Sequence, residues 1–173
     1  MIEIPEKIDP SEKIVRFLFS KHLKKSKNLD KFRSTLDSGL INSDYVFYDT
    51  RGEVSMQRKD YVSDERCLQI GNSIPLELVG YVSFPLDLYD NTIILHKQEP
   101  GREEFEATLL WSPLDSENVE RLDRPVCSDD AGLPAHCGIT YVNPSELINE
   151  EPNTAIRMFS RRFFKRCALE LVG

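Results

Sequence analysis

The chain has 173 residues, 40% of them apolar and 29% charged, with a formal charge of −7 at neutral pH. This is the make-up of a folded globular protein with a sizeable core, not of a disordered or fibrous chain, and its acidity argues against general affinity for nucleic-acid phosphates. No run approaches the ~20 apolar residues of a membrane span. The opening "MIEIPEKIDPSEKIVRF" carries Glu3 and Glu6 and does not read as a secretory signal, so a cytoplasmic location is expected.

Residues 1–9 read as a flexible or extended arm. "IDPSEKIVRFLFSKHLKKS" predicts a helix over about 10–25: Asp9 can cap, Pro10 suits the first turn, Glu12 falls where a capping box wants an acid, and Ile14, Phe17, Leu18 and His22 form a stripe. "SKNLDKFRSTLDSGL" reads as a linker and a short helix stopped by Gly39. From residue 42 the period changes. "DYVFYDT", the turn Arg51-Gly52 and "EVSMQRKDYV" read as strand, turn and strand, and "SDERCLQIG" as a helical turn capped by Ser63. Strands are expected in "LELVGYVSF" (76–84), "NTIILHK" (91–97) and "EFEATLLWSP" (104–113), the last with Phe105, Ala107, Leu109 and Trp111 facing inward. "DSENVERLDRP" suggests a short helix and "HCGITYV" a further strand. In the closing helix Asn153 can cap, and Ile156, Phe159, Phe163 and Cys167 recur at helical spacing. Strands that follow one another without helices between them favour a single α+β domain over 1–173, a mostly antiparallel sheet packed by the N-terminal and C-terminal helices.

Charge is uneven along this layout. Lys21, Lys24, Lys25, Lys27 and Lys31 make one basic region and Arg157, Arg161, Arg162, Lys165 and Arg166 another, with an acidic middle between. A protein partner through the basic helices (Lys21, Lys24, Arg161, Arg162) would use this asymmetry, although solvated helix faces produce it too.

Four cysteines in a reducing compartment are expected to remain thiols. Cys127, His136 and Cys137 are the candidate zinc ligands, but adjacent strand residues point to opposite faces, so no metal is expected. A thiolate at Cys137 or Cys127 would need His136 or His96 as base and an acid such as Asp130, yet no nucleophile signature surrounds either cysteine. Glu104-Phe105-Glu106 resembles the Glu-x-Glu of ADP-ribosyltransferases, but glutamates on the outer face of an amphipathic strand explain the same letters.

If residues 54–61 are a strand, Ser55, Gln57 and Lys59 share one face while Met56, Arg58 and Asp60 share the other. Arg58 beside Met56 would be a buried guanidinium, which demands a carboxylate or an anionic ligand; Asp130 is a candidate partner. The alternative is a structural salt bridge.

The order "KHL", "GLINSDYVF", "EVSMQRKDYVS", "LPAHCGI" resembles a set of small bacterial proteins with a His, Gly-x-Ile-x-Ser, a Ser-Val-x-x-Arg-like strand and a late Pro-Ala-His-Ala. The matching residues are His22, Gly39, Ile41, Ser43, Ser55, Arg58, Pro134, Ala135 and His136, with Cys137 in place of the last Ala. The resemblance implies a bacterial cytosolic setting and a common pocket for Ser55, Arg58 and His136; it implies no activity. The expectation is a non-enzymatic binding or accessory protein without a cofactor. The alternative is an enzyme or sensor for a small anionic ligand, bound by Arg58 and Ser55, with His136 and Asp130 as candidate acid or base.

Overall fold

The computed structural model describes residues 2–25, 29–49, 53–142 and 154–171. Its centre is a six-stranded antiparallel sheet in the order β4-β5-β2-β1-β3-β6. The strands are β1 (Lys13–Phe19), β2 (Val54–Arg58), β3 (Leu78–Pro85), β4 (Ala107–Trp111), β5 (His136–Tyr141) and β6 (Ala168–Leu171). Helices α1 (Leu29–Thr35), α2 (Asp64–Ser73), α3 (Leu86–Lys97) and α4 (Thr154–Phe164) complete one α+β domain. The expected turn at Arg51-Gly52 and the cap at Asn153 lie outside the described residues.

β1 corrects the expected first helix. Ile14, Phe17 and Leu18 fit helical spacing, but "KIVRFLF" is buried along nearly its whole length because β1 lies inside the sheet and is covered on both faces. A strand of that kind shows a continuous apolar run rather than alternation. Asp9 makes a turn instead of a cap: its carboxylate accepts from the Ser11 amide at 2.9 Å.

The second correction is α3. β-branched "NTIILHK" suggested a strand, yet the helix starts at Leu86, and Tyr89, Thr92 and His96 make its buried side at helical spacing. Two smaller expectations also fail. The described part of "DYVFYDT", residues 44–49, continues a short 3-10 turn over Ser43–Tyr45 and forms no strand, and "DSENVERLDRP" is a loop with an isolated bridge from Leu114 to Glu120. α1 ends at Thr35, ahead of Gly39, and Leu36 just beyond it adopts a left-handed φ of 50°. α4 stops at Phe164, and the chain then enters β6, so Cys167 lies beyond the helix.

The sheet faces are covered unequally. On the first, Ile14, Leu18, Met56, Phe84, Cys137 and Ile139 meet an aromatic cluster in which the Phe163 ring lies 4.5 Å from Phe47 and 4.6 Å from Phe84. α3 and α4 supply Tyr89, Phe159 and Phe163 to that layer. On the second, Val15, Phe17 and Phe19 pack against Cys67 and Ile70 of α2. α2 runs longer than the expected single turn, and Ser63 caps it as expected, its Oγ accepting from the Arg66 amide at 3.1 Å.

The N-terminal arm is extended and docked. Ile4 and Ile8 are buried, Ile4 N donates to Val126 O at 2.8 Å, and Ser128 N donates to Ile2 O at 2.7 Å.

Candidate functional site

Alternation along β2 sends Arg58 and Gln57 to opposite faces, and the two meet different fates. Arg58 is fully buried on the aromatic-core face. Its Nε and one terminal nitrogen donate to the two oxygens of the Glu12 carboxylate at 2.6 and 2.8 Å, and the other nitrogen donates to Pro5 O at 2.7 Å. The rings of Tyr61 and Trp111 flank the guanidinium at 4.9 and 5.4 Å. Burial of the cation was legible in the sequence; its partner is Glu12, not Asp130. A bidentate carboxylate neutralises the charge inside the fold and ties the N-terminal arm to the sheet.

His136 lies on the other side. In β5, His136 pairs with Gln57 and Cys137 with Met56, so imidazole and thiol face apart as expected. Cys137 is fully buried in the core, where burial pushes its thiol pKa well up and leaves it unfit as a thiolate. The imidazole, expected to share a pocket with Ser55 and Arg58, is 5% exposed. Its Nδ1 stands 2.9 Å from both Oγ and O of Ser112, and its Nε2 stands 3.5 Å from Glu53 Oε1. Glu53 reaches it by folding over Gly138, where a Cβ would collide with the glutamate side chain. Ser112 thus hydrogen-bonds the buried imidazole from the end of β4, and the partly exposed Glu53 lies against its other nitrogen at the entry to β2. The sequence reading missed Ser112 and Glu53, whose only signal was their place at strand ends.

Arg58 and His136 therefore do not share a pocket. Ser55 is on the His136 face, opposite Gly138, with its side chain exposed and its carbonyl accepting from Arg16 at 2.9 Å. The remaining residues of the resemblance gather elsewhere. The carbonyl of His22 accepts from Asn42 N at 2.7 Å, Leu23 bridges Ile41, and Ser43 O accepts from Ser160 Oγ at 2.6 Å. Gly39 N donates to Asp37. These residues brace the end of β1 against α4. Glu104 and Glu106 are exposed ahead of β4 while Phe105 is buried between them, as an amphipathic strand entry requires. Among the described residues, no three His, Cys, Asp or Glu side chains gather as metal ligands.

What the second face does hold is a cleft of about 510 Å³ between β2, the start of α2 and the loop before β5. Ile70, Val62, Pro134 and Ala135 give it apolar walls, and Asp60, Arg66, Ser128, Asp129 and Asp130 are its polar groups. Asp130 is held by its loop, accepting from Cys127 N at 2.9 Å and lying 3.5 Å from Arg124. Gln57 also lines the cleft, beside Tyr61 and Ser63. Its side chain is 3% exposed, and its Oε1 is buried without a hydrogen-bond partner. Buried polar groups in native proteins are nearly always paired, so this oxygen marks the cleft. Sequence reasoning placed Gln57 on the correct face but gave it no role, because the cleft exists only once the 128–135 loop folds over β2.

No protein family, curated protein or solved structure matches this chain.

Proposed function

We propose that this chain is a non-enzymatic binding or accessory protein whose ligand seats in the cleft beside Gln57. The carrying observation is the buried, unpartnered amide oxygen. Leaving such a group unsatisfied costs about 1–3 kcal/mol, which a ligand donor recovers on binding. Concavity, apolar walls and a few convergent polar groups are the usual features of a small-molecule site. The cytosolic setting expected from the sequence belongs to the same proposal; among the described residues no helix is long and apolar enough to cross a membrane. A small anion held jointly by Arg58 and His136 has less support, since Glu12 neutralises the first and the second faces Ser112 across the sheet.

A thermal-shift screen of metabolites tests the reading. The expected result is a stabilising compound whose effect disappears in Gln57→Met, which keeps the side-chain length and removes the amide. Hits that stabilise the variant as strongly as the parent overturn it.

A second reading, docking of an acidic segment of a protein partner, rests on the basic residues. Lys24, Arg157 and Arg161 converge on Asp44, and hydrogen bonding by Arg161 foremost holds that carboxyl below its ordinary pKa. Arg161 grips it at 2.7 and 2.8 Å. Beside them, Met158, Arg161, Arg162, Lys165 and Arg166 line a shallow groove of about 420 Å³. Lys21 and Lys24 are exposed. Charge reversal at Lys24 and Lys165 is expected to release a captured partner; an unchanged pull-down counts against this surface.

A further inference from the structure

We infer that the cleft selects a flat cationic ligand bearing N–H donors, of the amidinium, guanidinium or protonated amino-heterocycle class. This rests on the reading of the cleft as a binding site and goes beyond it by fixing the sign of the charge and the shape. Three carboxylates, Asp60, Asp129 and Asp130, line the cleft with one guanidinium, Arg66; Asp130 already lies 3.5 Å from Arg124, which leaves Asp60 and Asp129 to set the charge of the opening. That guanidinium is turned to structural work: it donates to Gly132 O at 3.0 Å and approaches Gln69 Oε1 at 3.5 Å. The exposed Asp60 and Asp129 leave the opening acidic. A carboxylate-lined, partly desolvated opening attracts cations and excludes anions.

The amide alone is ambivalent, since turned over it presents N–H₂ instead of C=O. The acidic surroundings decide between the two, because a ligand that pairs with aspartates carries donors, and its donors also suit Gln57 Oε1. Shape follows from the walls. Ile70, Pro134 and Ala135 are buried apolar surfaces, which favour a planar body over a heavily hydrated, flexible chain.

Benzamidinium, benzamide and benzoate share one ring and differ in charge, so titration calorimetry with the three separates the terms. Benzamidinium is expected to bind about tenfold tighter than benzamide, with benzoate weakest, on the ordinary scale of one charge-assisted contact. Asp129→Asn with Asp130→Asn removes that preference and leaves benzamide unchanged. Gln57→Met weakens benzamidinium and benzamide alike. Tightest binding by benzoate, or no binding by any of the three at millimolar concentration, overturns the cationic class. A Gln57-dependent hit in the metabolite screen would still uphold the cleft in that case, whereas the absence of any Gln57-dependent hit removes the cleft reading itself.

Discussion

Arg58 and Gln57 are neighbours on one strand, equally deep, and opposite in how the fold treats them. The guanidinium is given a carboxylate, a carbonyl and two aromatic rings from four separate parts of the chain. The amide oxygen one residue earlier is left without a partner. Free-energy scale explains the asymmetry. An uncompensated buried charge costs several kcal/mol and would threaten a marginally stable domain, whereas one unpaired neutral acceptor costs about 1–3 kcal/mol and can be carried. An unpaired neutral acceptor is therefore tolerable on the face covered by α2, whereas the aromatic face could not accept an unpaired cation.

Breaking the satisfied side gives the largest effect. Glu12→Ala strands the guanidinium, and urea unfolding is expected to show a loss of about 3–5 kcal/mol. Replacing both partners together, Glu12→Leu with Arg58→Met, recovers most of it; a double variant as weak as the single one would show that the pair contributes more than mutual neutralisation.

Acid probes the neutral buried groups next. His22 and His96 are held down to about 3 and about 4 from an ordinary 6.5, chiefly by burial. His22 also accepts from Phe19 N through Nδ1 at 2.9 Å, which protonation would abolish. Both imidazoles stay neutral in the fold while the unfolded chain takes up protons. Stability is thus full above pH 6.5 and falls as the pH drops below it toward the folded values. The expected loss near pH 5.5 is roughly 1 kcal/mol per histidine. Thermal melts across that range in the parent and in His96→Phe separate the two contributions, and a flat profile would contradict the burial.

On the face covered by α2 the expected sign reverses. Gln57→Met removes an unsatisfied oxygen and raises the unfolding free energy by about 1 kcal/mol even as it removes the group on which the proposed binding rests. A destabilised variant would mean that the amide is already satisfied. Ser63→Ala, which uncaps the helix covering that face, is expected to cost about 0.5–1 kcal/mol, read as an earlier loss of amide-exchange protection in α2 than in α4.

Much of the sheet and three of the four helices were legible in the sequence, whereas β1 was read as helix and β6 as the end of the closing helix. β2, β3, β4 and β5 follow from β-branched and aromatic runs, and the inward set Phe105, Ala107, Leu109 and Trp111 matches the observed side. β1 escaped because a strand covered on both faces has no alternation to read. α3 escaped because a window opening at residue 91 omits Tyr89, and with it the spacing Tyr89, Thr92, His96. Burial of Arg58 was legible from its place beside Met56, but not its partner, since Glu12 belonged to a segment read as helix. For Gln57 only the facing direction was legible; its isolation depends on a loop some seventy residues away.

That loop is anchored at a point that admits no side chain. Gly132 adopts a φ of 89°, and a Cβ there would strike the backbone of Leu114 and Asp115. Immediately beyond, Leu133 and Leu114 exchange amide hydrogen bonds of 2.8 and 3.0 Å. Asp129 thus projects from a loop fixed at Gly132 and Leu133 by main chain and at Asp130 by the Cys127 amide. Exchanging Asp129 alone for lysine reverses the charge at the mouth of the cleft while these anchors stay where they are.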